Sequence, residues 1–176
     1  MRAAIRRAGF AGIVLVLLLA IAVAGLLAWR IARQHQIADA ERITTPDGVQ
    51  TSGFVRVGGV EQWVQVRGEH RANPVLLFVH GGPGFAMSPL TPVFRDWEKR
   101  FTVVQWDQRD AGRTYSRNGA QALSVDQVAS DGIEVADIVR HQLGQSRVIV
   151  VGHSWGSAIA LNMVHRRPDL FSAYVG

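Results

Sequence analysis

Between residues 8 and 29 the chain carries no charged side chain, and twelve of the twenty positions 10–29 are Phe, Ile, Leu or Val. At 1.5 Å of helical rise per residue such a run reaches about 30 Å, the thickness of a bilayer's hydrocarbon. Each of those residues contributes roughly −0.3 to −0.6 kcal/mol toward insertion. The pattern predicts residues 1–33 as an N-terminal membrane anchor that meets lipid through residues 10–29. Arg2, Arg6 and Arg7 flank one end, Arg30 and Arg33 the other, and Trp29 suits the interface. Two other readings stay open. Ala22-Val23-Ala24 offers the small-x-small pattern of a cleaved signal peptide, which would make the protein secreted. Against it, the apolar stretch is longer than the usual run of about 7–15 residues and continues past that site to Trp29. The third reading is a buried helix of a soluble protein.

Beyond the apolar run the pattern changes twice. Residues 34–52 are polar and turn-rich, with Thr44-Thr45-Pro46-Asp47-Gly48, and predict a linker. Alternating runs at 54–57 and 60–66, joined by Gly58-Gly59, predict a β-hairpin. A β/α rhythm follows. Continuous apolar runs at 75–79 and 147–151 predict strands buried on both faces, and 101–106 predicts another. Residues 92–100 predict a short helix. Residues 124–143 carry Val125, Val128, Ile133, Val135, Ile138, Val139 and Leu143, with Ser124 as N-cap and Gly144 as the stop. A further helix is predicted over 157–165, ended before Pro168, and a strand over 173–175. Strands alternating with helices predict an α/β domain over residues 53–176, its mainly parallel sheet covered on both faces.

Composition removes several function classes. With no cysteine there is no disulfide scaffold and no Cys-based metal site. The net charge of +5 is lopsided: residues 1–44 hold six arginines against Asp39 and Glu41, leaving 13 basic and 12 acidic groups in the other 132 residues. The domain therefore has no basic face for nucleic acid. The arginine bias across the apolar run, three against two, favours a cytoplasmic N-terminus and an extracytoplasmic domain.

The chemistry centres on Gly152-His153-Ser154-Trp155-Gly156, a G-x-S-x-G pentapeptide entered by an apolar strand and left by an apolar-periodic helix. This is the arrangement that lifts a serine hydroxyl off the end of a sheet. Gly152 and Gly156 let strand and helix pass closely, and Ser154 sits at a helix N-terminus where the Trp155 amide can face a developing oxyanion. His80-Gly81-Gly82-Pro83-Gly84 follows the 75–79 strand and can present bare backbone N–H groups as the second half of an oxyanion hole. Gly82 is the first choice of donor and Gly81 the second. The loop has neither phosphate-binding glycine signature, so a nucleotide is not expected, and nothing calls for a metal or another cofactor. Asp107 and Arg109 end the next strand and read as partners that hold loops. His80 is expected to hydrogen-bond within its loop, His153 to point away from the serine, and His141 and His165 to be solvated; none is expected to serve as the general base.

Taken together, His80–Gly84, Asp107–Arg109 and Gly152–Ser157 resemble the α/β-hydrolase superfamily, and within it the proline iminopeptidase-like group, where HGGPG, DQRG and G-x-SWGS occur in this order. The resemblance spans about residues 54–176. It implies Ser154 as nucleophile, with the Gly82 and Trp155 amides as oxyanion hole. One departure stands out: Asp110 replaces the glycine of DQRG. In this fold the triad runs Ser…Asp/Glu…His, yet after Ser154 only His165 and Asp169 are available, both on the next helix or its end. The expectation is therefore a fragment, the first half of a hydrolase, catalytically near-dead alone and left with an apolar unpaired sheet edge. Its functions under consideration are a membrane-anchored serine hydrolase acting on a peptide or small-molecule substrate, with an N-terminal-proline peptidase leading, a carboxylesterase or lipase-like enzyme as the alternative, and a non-catalytic membrane-tethered remnant.

Overall fold

The computed structural model describes residues 2–176, with side chains described from Phe10 onward except at Ala11. The chain divides into two units, Met1–Arg42 and Ile43–Gly176. The first is one helix, α1 (Arg2–Ala40), whose described apolar side chains are exposed. Among the described residues it is the one helix long and apolar enough to cross a membrane, a property that signal sequences share. It outruns the predicted anchor by about two turns. Residues 30–40 are mostly Ala, Arg, Gln and Ile, without Gly or Pro, so nothing ends the helix until the Pro46 turn approaches. Arg33 supports the extension by donating to Gln36 Oε1 at 3.1 Å.

The second unit is built on a six-stranded sheet: β1 (Val49–Val57), β2 (Val60–Gly68), β3 (Val75–Val79), β4 (Thr102–Asp107), β5 (Val148–Gly152) and β6 (Phe171–Val175). The strand order is β1-β2-β4-β3-β5-β6. β1, β2 and β4 pair antiparallel, and β4, β3, β5 and β6 pair parallel. β1 begins five residues before the predicted hairpin arm, which shortens the predicted linker of 34–52 to residues 41–48. The polar residues 49–53 join the ladder because backbone pairing along β2, from Val49↔Gly68 onward, needs no apolar side chain. Gly58 (φ 53°) and Gly59 (φ 83°) supply the two left-handed residues that a tight two-residue hairpin turn demands.

Three helices accompany the sheet: α2 (Gly112–Asn118), α3 (Val125–Gln142) and α4 (Trp155–Arg166). The Ser124 hydroxyl accepts from Gln127 N–H at 3.1 Å, as an N-cap should, and Gly144 follows at φ 67°. The main core joins Val75, Leu77, Val79, Val104, Trp106 and Val150 of the strands to Val128, Val135 and Val139 of α3 and Ile159 and Met163 of α4. A smaller core on the other side of β3 comprises Leu76, Phe78, Val103 and Phe94. Phe78, Phe94 and Trp97 pack there edge to face.

The helix predicted over 92–100 is instead a 3-10 segment, Ser88–Phe94, followed by turns. Pro89 and Pro92 have no N–H to give, and the bonds from Leu90 N–H to Met87 and from Trp97 N–H to Phe94 close three-residue loops. α2 has no apolar periodicity and escapes sequence reading. Thr114 ties it to the sheet, donating its hydroxyl to the Asp107 carbonyl at 2.6 Å and accepting from Trp63 N–H at 2.9 Å.

Candidate active site

β3 and β5 are neighbours in register, Val79 opposite Gly152, so the loops that leave their C-terminal ends meet. His153 N–H donates to the Val79 carbonyl at 3.0 Å, binding one loop to the other. Between β5 and α4 stands Ser154, a non-glycine residue at φ 54° and ψ −123°. Such a conformation costs of order 1–3 kcal/mol and persists only where the surroundings enforce it. Here Gly156 N–H donates to His153 O at 2.8 Å, Ser157 N–H to Ser154 O at 2.9 Å, and Ser157 Oγ to Gly152 O at 2.9 Å. The glycines are sterically obligatory. A Cβ on Gly152 would lie 2.5 Å from Ser157 Cα, and one on Gly156 only 2.1 Å from the Val79 carbonyl oxygen. Ser154 is exposed, and its hydroxyl does not cap the helix.

The glycine loop after β3 lies against this elbow. A Cβ built on Gly81 would stand 3.1 Å from Ser154 Cβ and 3.0 Å from His153 O, tighter than ordinary contact, so the Gly81 backbone lies close against the serine. Gly82 follows at φ 125°, its peptide to Pro83 is cis, and Gly84 lies at φ 91°. Gly81, the second predicted donor, has its backbone close to Ser154, and Gly82, the first, follows it and is exposed. Trp155 is the first residue of α4, where helix geometry leaves an N–H without an intrahelical acceptor.

His80 is buried and reaches beyond its own loop. Its Nδ1 lies 2.8 Å from the Gly81 carbonyl, and its Nε2 accepts from Gln108 N–H at 3.1 Å. Since Nε2 accepts, Nδ1 carries the proton. Burial holds the ring below its usual pKa of 6.5, opposed in part by the Gly81 carbonyl and the nearby Asp107 carboxylate. The Gln108 side-chain amide returns a bond to His80 O at 3.0 Å. His153 is exposed at the elbow, and His141 and His165 are exposed on their helices.

Arg109 holds a loop, as its position predicts. Its guanidinium pairs with Asp131 on α3 through Nε–Oδ2 and through Nη2–Oδ1 at 3.2 Å, and also donates to Gly58 O in the hairpin turn. Asp131 further accepts from Gln62 at 2.7 Å and Gln127 at 2.8 Å, while Trp106 Nε1 donates to Gln62 Oε1 at 2.7 Å. Asp107 is buried and accepts from Arg113 N–H at 2.9 Å. Asp110 adopts φ 59°, in the left-handed region, and its Oδ1 takes the Gln121 N–H at 2.6 Å. The departure from DQRG thus keeps the glycine-like backbone and adds a bond, Asp being among the side chains that tolerate this region. Sequence reading missed Gln108 and Asp131. The signal for the latter was an acid on the buried stripe of α3, between Val128 and Val135.

The chain belongs to the α/β-hydrolase fold family, which it matches over residues 74–176. Within that family its likeness is to proline iminopeptidase-like proteins. The Bacillus subtilis protein named Probable aminopeptidase YbaC is 37% identical over 125 residues, covering 68% of this chain and 38% of that protein. The proline iminopeptidase of Neisseria gonorrhoeae is 31% identical over 121 residues, covering 67% and 36% respectively. In the crystal structure of a proline iminopeptidase-related protein from Thermus thermophilus, the match has a TM-score of 0.58 at 28% identity, covering 71% of this chain and 43% of the other. The chain thus spans somewhat over a third of the length of the curated relatives it matches.

Proposed function

We propose that this chain is the nucleophile-bearing part of a serine hydrolase of proline iminopeptidase type, held at a membrane by α1 with its hydrolase domain outside the cytoplasm. The carrying observation is the exposed Ser154 at φ 54° on a strand-to-helix elbow, with the Gly81 backbone against it. In the reaction Ser154 Oγ attacks the acyl carbon and passes its proton to a general base. The resulting oxyanion accepts hydrogen bonds from the Trp155 N–H and a glycine-loop N–H, Gly82 or Gly81. The base then protonates the departing amine, and water releases the acyl group from Ser154. The acid and base are expected after Ser154 in chain order.

Within this chain His165 is the histidine after Ser154, but it lies near the far end of α4, about 15 Å along the helix axis. His80 has both ring nitrogens engaged. The 176 residues by themselves are therefore proposed to be inactive. The test is fluorophosphonate labelling of the complete protein and of its Ser154→Ala variant, with turnover of a proline arylamide and of p-nitrophenyl acetate. Ser154-dependent labelling with preference for the arylamide is expected. Preference for the ester reassigns the chemistry to carboxylester hydrolysis, and no labelling leaves a membrane-tethered remnant. Alkaline extraction of membranes and an N-terminal sequence of the mature protein test the anchor against a cleaved signal.

A further inference from the structure

We propose that β1 is a dimerisation edge, at which two copies of this chain pair their β1 strands antiparallel about a two-fold axis at Gly53. The proposal is independent of the chemistry at Ser154. Among the described strands β1 lies at the end of the sheet, with β2 on one side and no strand on the other. Which of its backbone groups face outward follows from the hairpin. A two-residue turn makes the residues flanking it, Val57 and Val60, a hydrogen-bonded pair, and bonded pairs then recur at every second residue. Val49, Thr51, Gly53, Val55 and Val57 therefore bond to β2, while the N–H and C=O of Gln50, Ser52, Phe54 and Arg56 point to the open edge. β2 keeps the same alternation: Trp63, opposite Phe54, turns its N–H away from β1 to Thr114 Oγ1 at 2.9 Å. Among the described residues, no other backbone group takes up these outward donors and acceptors. The segment before β1 leaves the edge open, because Thr45 and Asp47 bond to Glu69 and Arg71 on the β2 side.

Exposed edges are ordinarily kept from pairing by short length, Pro, Lys, an inward charge or a bulge. β1 has nine residues in unbroken register with β2, no Pro and no Lys, and Arg56 is its sole charge. The strand is also complementary to itself. Pairing about Gly53 sets Phe54 against Ser52, Val55 against Thr51, Arg56 against Gln50 and Val57 against Val49 of the other copy. Arg56 thus faces a neutral amide rather than its own counterpart, and the one aromatic ring faces a small side chain. Outward residues meet outward residues, so the two copies exchange about eight backbone hydrogen bonds. A slip of one residue would set these groups against positions already bonded to β2, and a slip of two would leave strand ends unpaired. The full overlap is therefore the one centred on Gly53. A Cβ there would meet nothing within 4 Å, so no group of its own copy obstructs the axis. The interface is isologous and closed, as a two-fold dimer requires.

The experiment uses the complete protein in detergent, read by sedimentation velocity and by non-reducing electrophoresis after mild oxidation with copper phenanthroline. Residues 1–176 hold no cysteine, so a disulfide present in Gly53→Cys and absent from the parent reports on position 53. At the two-fold, facing Cα atoms of a non-hydrogen-bonded pair lie about 4.5 Å apart, within disulfide range. Thr51→Cys is the control, since position 51 faces position 55 of the other copy. The parent is expected to sediment as a dimer, and Gly53→Cys to cross-link at least about fivefold more than Thr51→Cys. Ser52→Pro removes an outward N–H and spares the bonds to β2, so it is expected to weaken dimerisation at least about tenfold with the melting midpoint little changed. Where Ser52→Pro lowers the midpoint as well, the cross-linking ratio decides. A monomeric parent overturns the proposal. A dimer that survives Ser52→Pro, or equal cross-linking at positions 51 and 53, also overturns it and moves the association to another surface, such as α1.

Discussion

His80 and Gln108 grip each other twice: the Gln108 amide N–H donates to His80 Nε2 at 3.1 Å, and the Gln108 side chain donates to the His80 carbonyl at 3.0 Å. The pair couples the loop after β4 to the first residue of the glycine loop that lies against Ser154. Gln108→Ala removes the side-chain donor, leaves a buried carbonyl without it, and is expected to cost about 1–3 kcal/mol in stability. If Ser154 is the nucleophile, slack in the glycine loop acts on transition-state contacts more than on substrate binding. In the complete protein, kcat for a proline arylamide is expected to fall about 10–100-fold with KM changed little. A variant whose loss lies wholly in KM contradicts this assignment.

The burial of His80 sets a pH dependence. His80 is buried, and desolvation lowers its pKa below the ordinary value of 6.5. Where the pH lies between that lowered value and about 6.5, the unfolded chain binds a proton that the native protein declines, so stability rises with pH across the window. The contribution is complete above about 6.5 and is lost as the pH falls toward the folded value. Protonation would also place a hydrogen on Nε2, where Gln108 N–H now donates. Thermal midpoints measured across this range in the parent and in His80→Gln are expected to converge as the pH falls, the parent losing its advantage. A constant difference between the two contradicts the assignment.

Arg109 and Asp131 form a buried ion pair, with Asp131 fully inaccessible, and Gly58 is the point where it meets the hairpin. Removing one member leaves the other charge buried and unpaired, so Asp131→Ala is expected to cost about 3–5 kcal/mol. Gly58→Ala is expected to be comparably harmful, because its Cβ would fall 2.0 Å from Asp131 Oδ1 and 2.3 Å from Arg109 Nη2, at φ 53°. Gly59→Ala meets nothing within 4 Å and is expected to show only the backbone strain of its φ of 83°, about 1–2 kcal/mol. Denaturant unfolding of the three variants ranks these costs.

What the sequence disclosed and what it withheld follow physical lines. β3 was legible because five consecutive apolar residues have no exposed face to offer, and all five are buried. α3 was legible from its 3.6-residue period and its Ser124 cap, and the elbow from two glycines that no other residue can replace. α2 was not, since what places it is Thr114 bonding to β2 and β4 rather than an apolar stripe. The stretch 92–100 reads as helical, yet the helical turn lies at 88–94 and is 3-10, because Pro89 and Pro92 take away N–H groups an α-helix requires. Gln108 and Asp131 are polar residues whose importance lies chiefly in distant partners, His80 28 positions from Gln108, and Arg109 and Gln62 22 and 69 positions from Asp131. No local pattern encodes such pairings, although an acid on a buried helical stripe is a warning that a partner exists.

Asp110 offers the sharpest test of how this chain departs from DQRG, because its backbone and its side chain make separable demands. The φ of 59° is free for glycine, tolerated by Asp and Asn, and costs about 1–2 kcal/mol for alanine. The Oδ1 bond to Gln121 N–H survives in Asn, whose Oδ1 also accepts, and is absent from Gly and Ala. Asp110→Asn is therefore expected to match the parent within about 0.5 kcal/mol. Asp110→Gly should lose roughly 1 kcal/mol through the missing bond and the freer unfolded chain. Asp110→Ala should lose the most, roughly 2–3 kcal/mol, since it forfeits the bond and adds the strain. Thermal or denaturant unfolding of the three variants gives the order directly. If glycine proves more stabilising than asparagine, the Gln121 contact contributes nothing, and the acid at this position is a tolerated substitution rather than a brace for the 119–124 loop.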